Sequence, residues 1–354
     1  MAEPVIAGTK PHLVELKAGR AYFWCACGRS LRQPFCDGSH EGTGIEPLRF
    51  TAESDREAVL CACKRTTSPP FCDGTHNSLS DKYEEASEDE IRAAASVPVT
   101  PRDLGSTGKA VLDGGCYVCT PDRNAMQRHG TLRIAPVINE SDGARFLSQY
   151  CAIAAPGLSG VLQFPGSDAV LFIAVAGAEI CISGRTFRTE PETGVYVRAG
   201  EAFSIHNHGS EPLDVLITAC PQCSGPTWLD VMPEEFDESV PVRAVPVDPS
   251  QREPMADRFY QVLNGAETGC REVTQFIGEL PLSRAAAHRH LYEEAIMILS
   301  GRGFMWTEKA RAEVQPGDVI FLPRKQLHSL ECTSPDGMRL MGVFYPSGSP
   351  AVNY

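Results

Sequence analysis

The residues best equipped for chemistry lie near the C-terminus, in Ala287-His288-Arg289-His290-Leu291-Tyr292-Glu293-Glu294. His288 and His290 stand two apart, so on a β-strand both imidazoles share one face. Glu294 follows four residues after His290, and His328 lies one short hairpin further on. Parity selects Glu294 over Glu293: only Glu294 is an even number of residues from both histidines, and Glu293 should face away. Three imidazoles and one carboxylate suit a mid-row divalent metal: iron, manganese, cobalt, nickel, copper or zinc. Glu294 is expected to serve as ligand and as the catalytic carboxylate.

A second set occurs twice within residues 12–78. Cys25-x-Cys27 is followed by Cys36 and His40, and Cys61-x-Cys63 is followed at the same spacings by Cys72 and His76. Three thiolates and one imidazole per copy fit either zinc or a [2Fe–2S] cluster. A third set is a pair of C-x-x-C motifs, Cys116/Cys119 and Cys220/Cys223. If a rolled barrel brings its ends together, these four thiolates would make a tetrahedral site for structural zinc or a single iron. Cys151, Cys181, Cys270 and Cys332 read as small buried hydrophobes. His206 and His208 read as exposed on a turn, and His129 as structural.

These side chains need elements to hold them. From about Lys109 to Trp228, and again from 254 to the end, short apolar runs alternate with Gly, Pro and polar turns, the texture of an all-β sandwich or barrel. Residues 79–108 are polar, acidic and interrupted by proline, and 229–253 are rich in Pro, Asp and Glu; both read as linkers. The expected order is therefore a cysteine-rich domain at 1–78 and two β domains at 109–228 and 254–354.

The chain has 354 residues, 45 acidic against 32 basic side chains and a formal charge of −13. That balance argues against nucleic acid or an anionic membrane as partner. The apolar run Ala169–Ala178 is about half of what a spanning helix requires. No secretory signal is visible after Met1, so the cytoplasm is the expected compartment. Fourteen cysteines in a reducing compartment point to metal rather than to disulfides.

Each N-terminal copy ends in Pro-Phe-Cys-Asp-Gly-Ser/Thr-His, at 34–40 and 70–76. This resembles the signature of CDGSH-type (NEET-like) iron–sulfur domains in their tandem form. The resemblance implies one [2Fe–2S] cluster on Cys25, Cys27, Cys36 and His40 and another on Cys61, Cys63, Cys72 and His76. The C-terminal stretch His288-x-His290-x₃-Glu294-x₆-Gly301, then Pro316-Gly317 and His328, resembles the two motifs of a cupin barrel. It implies that His288, His290, Glu294 and His328 bind one metal. Lys325 stands where that family usually has glycine, and Cys332 where it often has asparagine. The middle domain resembles a cupin that has lost its ligands, with Phe203 at the histidine position and Phe164, Gly166 and Val170 around the others.

Inserting one atom of O₂ into a substrate while reducing the other to water takes two electrons, and two one-electron clusters would match that demand. The leading expectation is a non-heme iron oxygenase or oxidase acting on a small metabolite, with an external electron donor feeding the clusters. An iron–sulfur sensor or cluster carrier whose cupins bind a ligand or mediate dimerisation is the alternative, and a manganese or zinc cupin enzyme regulated by the clusters is a third. The expected partners are a small-molecule substrate and O₂, with a homodimer open to the barrels. Arg289 and Arg302 are the arginines expected to meet an anionic substrate.

Overall fold

A computed structural model describes residues 3–79, 97–103, 108–175 and 177–352. The fold is mainly β, as expected. Residues 80–96 and 104–107 of the expected linker lie outside the described residues.

The N-terminal repeat folds as one unit by exchanging strands. His12–Leu16 of the first copy pairs antiparallel with Arg56–Leu60 of the second, and Ala21–Trp24 pairs with Leu48–Thr51. Each two-stranded sheet thus takes one strand from each copy, and Leu16, Trp24, Leu60 and Tyr22 close a shared core. The two copies repeat each other in detail. Ser30 Oγ donates to Phe35 O at 2.6 Å and Thr66 Oγ1 to Phe71 O at 2.7 Å. The backbone amides of Leu31 and Thr67 donate to Asp37 and Asp73 at 2.8 and 2.6 Å. The aspartate of each motif is therefore a turn-former that fixes the loop between cysteine and histidine.

An eleven-stranded sheet runs from Gln127 to Pro246. Its inward side chains, among them Leu132, Leu162, Leu171, Ile180 and Ile217, form a core of their own. An eight-stranded and a three-stranded sheet make the C-terminal barrel. Between the barrels lies a third core, built from Tyr117, Ile138, Phe172, Val273, Phe321 and Val343. Glu293 is tied into this interface. Its buried carboxylate accepts from the backbone amides of Arg145 (3.0 Å), Phe146 (2.8 Å) and Leu147 (3.0 Å).

Two boundaries differ from the sequence expectation. Lys109–Val111 and Tyr117–Cys119 belong to the C-terminal barrel, where Tyr117–Cys119 pairs with Val319–Phe321. These short strands satisfy the open edge of the strand Val319–Leu322. Part of the expected linker 229–253 is also structured, since Ala244–Pro246 pairs with Thr193–Val195. Spacing could not assign either segment, because pairing with a distant strand edge leaves no local signature.

Candidate metal centre and cysteine–histidine sites

In the C-terminal barrel, His288 and His328 face each other across an antiparallel bridge, each amide donating to the other's carbonyl at 3.0 and 3.1 Å. Their ring centroids are 4.4 Å apart, and that of His290 lies 4.7 Å from His328. Glu294 is the second residue of the strand Glu293–Ser300, which runs behind them. Ligand atoms of His290, Glu294 and His328 all lie within 4.8 Å of one another, with His288 beside His328 on the wall of the same cavity. Of the four residues expected from the sequence, His290, Glu294 and His328 converge, while His288 stands at the edge of the group, its ring 4.4 Å from that of His328 and 6.3 Å from that of His290. Glu293 faces the inter-barrel side, but residues 289–292 are non-strand and bend between the isolated bridge at His288 and the strand Glu293–Ser300, so no continuous strand relates the carboxylates to the histidines as parity assumed.

The three imidazoles are oriented alike. Nδ1 of His288 meets the Ala286 carbonyl at 2.8 Å, Nδ1 of His290 that of Tyr292 at 2.9 Å, and Nδ1 of His328 that of Gln326 at 2.8 Å. A carbonyl can only accept, so each Nδ1 carries the proton and each Nε2 presents a lone pair. Such backbone contacts hold ligand imidazoles in one tautomer. His290 Nε2 is buried without a hydrogen-bond partner and sits 3.1 Å from Glu294 Oε2. Two acceptors facing each other in a buried site call for a cation between them. The residues fit a divalent metal. Burial pushes His288 down to about 3 and His328 well below the usual imidazole value, which keeps both rings neutral and able to ligate.

The cavity beside these ligands holds roughly 600 Å³, mouth included, and its walls are largely apolar, with Met255, Phe276, Leu280, Ile296 and Met305 among them. Tyr292 stacks on His290 at 4.0 Å and on Phe344 at 3.9 Å, so the ligand ring is packed as well as hydrogen-bonded. The arginine in the cavity is Arg258, not Arg289 or Arg302. Arg289 lies 4.0 Å from Glu308 and Arg302 donates to Gln315 at 2.7 Å. Arg258 falls on a strand before the histidine motif, and nothing in its local sequence marks it.

The middle barrel has no such centre among the described residues. Phe164 and Phe203 fill its interior, stacked at 6.5 Å, with Tyr150 against Phe164 at 5.3 Å. On its outer face Glu179, His206 and His208 approach within 4.8 Å, but Glu179 is held by both His208 and Arg188 at 3.0 Å. His206 lies on the strand Ala202–Asn207 rather than on a turn. His129 stacks on Trp228 at 4.0 Å.

The S₄ site expected from Cys116, Cys119, Cys220 and Cys223 does not assemble. Cys116 points into the C-terminal core, Cys119 and Cys220 into the inter-barrel core, and Cys223 packs on the middle barrel. Residues three apart on a strand face opposite ways, so a C-x-x-C pair running through Tyr117–Cys119 cannot converge. Burial pushes the Cys119 thiol up to about 12 and also raises those of Cys116 and Cys220, as suits small apolar side chains.

The N-terminal donors fall into close pairs. Cys25 and Cys27 Sγ are 3.8 Å apart, and Cys36 Sγ lies 3.2 Å from His40 Nδ1. In the second copy the matching distances are 3.5 and 3.3 Å. No three of the four donors in either copy lie within 4.8 Å of one another, among the described residues. One tetrahedral ion would draw all four together, whereas two pairs suit a two-iron cluster with one pair at each iron.

Comparison with known proteins agrees with this division. The family model described as iron-binding zinc finger CDGSH type matches residues 5–41, and a cupin domain model matches 280–344. The chain is 56% identical over 54 residues to the Mus musculus CDGSH iron-sulfur domain-containing protein 3, mitochondrial, covering 15% of this chain and 39% of that protein. The Homo sapiens counterpart is 56% identical over 57 residues, covering 16% and 45%. The chain therefore spans less than half the length of these relatives. Among solved structures, protein Ylba from E. coli matches with a TM-score of 0.53 at 16% identity, over 69% of this chain and 96% of that one. An oxalate decarboxylase from Lactobacillus farciminis matches at 0.51 and 14% identity, over 66% and 87%. Likeness at this identity shows the fold, and its span takes in more than one barrel. The chain carries a CDGSH-type iron–sulfur domain at its N-terminus and a cupin domain at its C-terminus.

Proposed function

We propose that the protein is a non-heme iron oxygenase or oxidase in which two CDGSH clusters supply electrons to the C-terminal cupin centre. Iron held by His288, His290, Glu294 and His328 would supply the one-electron chemistry that O₂ requires. The chain's own residues do the rest. The backbone carbonyls of Ala286, Tyr292 and Gln326 fix the three Nε2 lone pairs, and the apolar wall excludes water from the centre. Arg258 gives the cavity a positive group that would orient an anionic substituent on a small, otherwise apolar substrate.

The observation that carries this reading is the packing of the iron–sulfur domain onto the barrel with the ligand-complete centre. Lys325 Nζ meets Glu57 Oε1 at 2.6 Å, and the Lys325 amide donates to the carbonyl of His290 at 2.9 Å. One residue thus bridges the strand leading to Cys61 and a metal ligand. Lys325 adopts a left-handed conformation, φ 65°, which is why glycine is usual there.

The test is anaerobic reduction followed by rapid mixing with O₂, with the clusters followed by EPR. Clusters should reoxidise in step with O₂ consumption in the wild type and stay reduced in His290→Ala. Turnover with clusters that remain reduced would refute the electron supply. Full activity restored by zinc or manganese would favour a cupin that the clusters only regulate.

A further inference from the structure

The two copies of the iron–sulfur motif are alike in sequence and hydrogen bonding but stand in opposite surroundings. In the first, Asp37, Gly38 and Ser39 are exposed and Cys36 and His40 partly so; the His40 side chain is 22% exposed and lies 3.5 Å from the exposed Glu46. In the second, Cys72, Gly74 and His76 are all buried, Cys72 at 8% and His76 at 7%. What covers the second loop is the end of the cupin barrel. A side chain at Gly74 would stand 2.4 Å from Ala351 Cβ, and Asn77 Nδ2 donates to the Ala351 carbonyl at 3.1 Å. The turn Thr75–Ser78 packs against the strand Glu253–Met255. Met255, Tyr260 and Pro350, neighbours of these contacts, line the cupin cavity. The Tyr260 phenol is raised to about 12, chiefly by burial and next by its hydrogen bond to Glu253 at 2.7 Å.

The copies are also joined to each other by residues that break the repeat. Gln33 Nε2 donates to Cys25 Sγ at 3.4 Å, and its Oε1 accepts from Lys64 Nζ at 2.8 Å. Lys64 Nζ donates in turn to the Cys61 carbonyl at 3.0 Å and lies 4.6 Å over the Trp24 ring, whose Nε1 reaches the same carbonyl at 3.0 Å. Lys64 is 6% exposed, and its counterpart in the first copy is Gly28; the counterpart of Gln33 is Pro69. A polar chain therefore runs through the buried interior from the first cysteine pair to the second, and it occurs once.

We infer that the two sites work in series: the Cys25/Cys27/Cys36/His40 site accepts electrons from outside, and the Cys61/Cys63/Cys72/His76 site passes them to the cupin centre. This rests on the proposed electron supply and gives it a direction. With clusters bound, the open Cys36–His40 edge would take one electron from a reduced one-electron carrier, and the second site would take it from the first. Two such passages would supply the two electrons needed per O₂. Gln33 and Lys64 join the two sites, and the Gly74–Ala351 and Glu57–Lys325 contacts hold the second against the cupin.

The full-length, cluster-loaded protein tests this without turnover. With the cupin centre filled by Co(II) or by Zn(II), the reduced clusters are examined by EPR power saturation. Each signal is assigned by the shift in its g-values in His40→Cys or His76→Cys. The His76-assigned signal should relax several-fold faster with Co(II) than with Zn(II), and the His40-assigned signal should not. A dissolved paramagnetic chelate should broaden the His40-assigned signal first. Co(II) enhancement of the His40-assigned signal, or of both equally, would overturn the order. If a histidine variant loses its cluster, the remaining signal is read the same way. Since no O₂ is present, a failed order is distinguishable from a failed oxygenase reading, in which the order holds but reduced clusters do not reoxidise with product formation.

Discussion

The two barrels carry comparable β frameworks with opposite interiors. The middle one packs Phe203, Phe164 and Tyr150 against one another, and these aromatic rings fill its interior. The C-terminal one keeps a polar cluster beside a cavity of roughly 600 Å³ and pays in buried acceptors that only a cation satisfies. Similar β frameworks thus enclose packed aromatic rings in one barrel and a cluster of metal-ligating side-chain types in the other. What the middle barrel keeps is its outer face, which covers its neighbour and supplies the amides that hold Glu293.

The comparison can be broken or sharpened in order of expected effect. His290→Ala should weaken metal binding at the C-terminal barrel by more than about 100-fold, because second-shell changes alone cost about 10–100-fold. Metal analysis after dialysis reads this, and unchanged metal content would remove the site. Phe203→Ala should destabilise the protein by about 3–5 kcal/mol while leaving metal content intact. Denaturant titration paired with metal analysis checks both halves; a loss of metal would mean that the middle barrel is more than packing.

The paired loops of the N-terminal domain give the next contrast. Gly74 and Gly38 both have positive φ, 88° and 98°, so alanine at either should cost roughly 1–2 kcal/mol. Only at Gly74 does the new methyl meet Ala351, adding about 1–3 kcal/mol of overpacking. Hydrogen exchange at residues 349–352 should rise in Gly74→Ala and not in Gly38→Ala. Equal effects would mean that the loop does not dock as described. Glu293→Gln, which weakens a charged acceptor of three backbone amides, should cost about 1–3 kcal/mol. A melting temperature equal to that of wild type would show the clamp to be dispensable. The smallest effect belongs to Lys325→Gly. Relief of its left-handed backbone, about 1 kcal/mol, opposes loss of a half-exposed ion pair worth about 0.2–1 kcal/mol. The net change should stay within about 1 kcal/mol by thermal melting, and a large loss would make Lys325 an essential strut.

Much of the site was legible in the chain. The spacing singled out His288, His290, Glu294 and His328 as candidates, although the continuous strand expected for them is absent: residues 289–292 bend ahead of the strand Glu293–Ser300. The exact repeat of Cys25–His40 in Cys61–His76 dictated two equivalent loops. The repeat is legible because spacing encodes local loop geometry, whereas the histidine stretch shows that a spacing can mark the right residue types under the wrong local backbone. Tertiary structure decided what depends on distant neighbours. It sent Cys116 and Cys119 into different cores, gave the strands at 109–119 to the C-terminal barrel, and put Arg258 in the cavity in place of Arg289 and Arg302. It also buried one CDGSH loop against Ala351 and left its twin in solvent, a distinction that two identical motifs cannot carry. Sequence determines which side chains lie together along an element; only packing between elements determines which surfaces are left to meet a ligand, a partner or water.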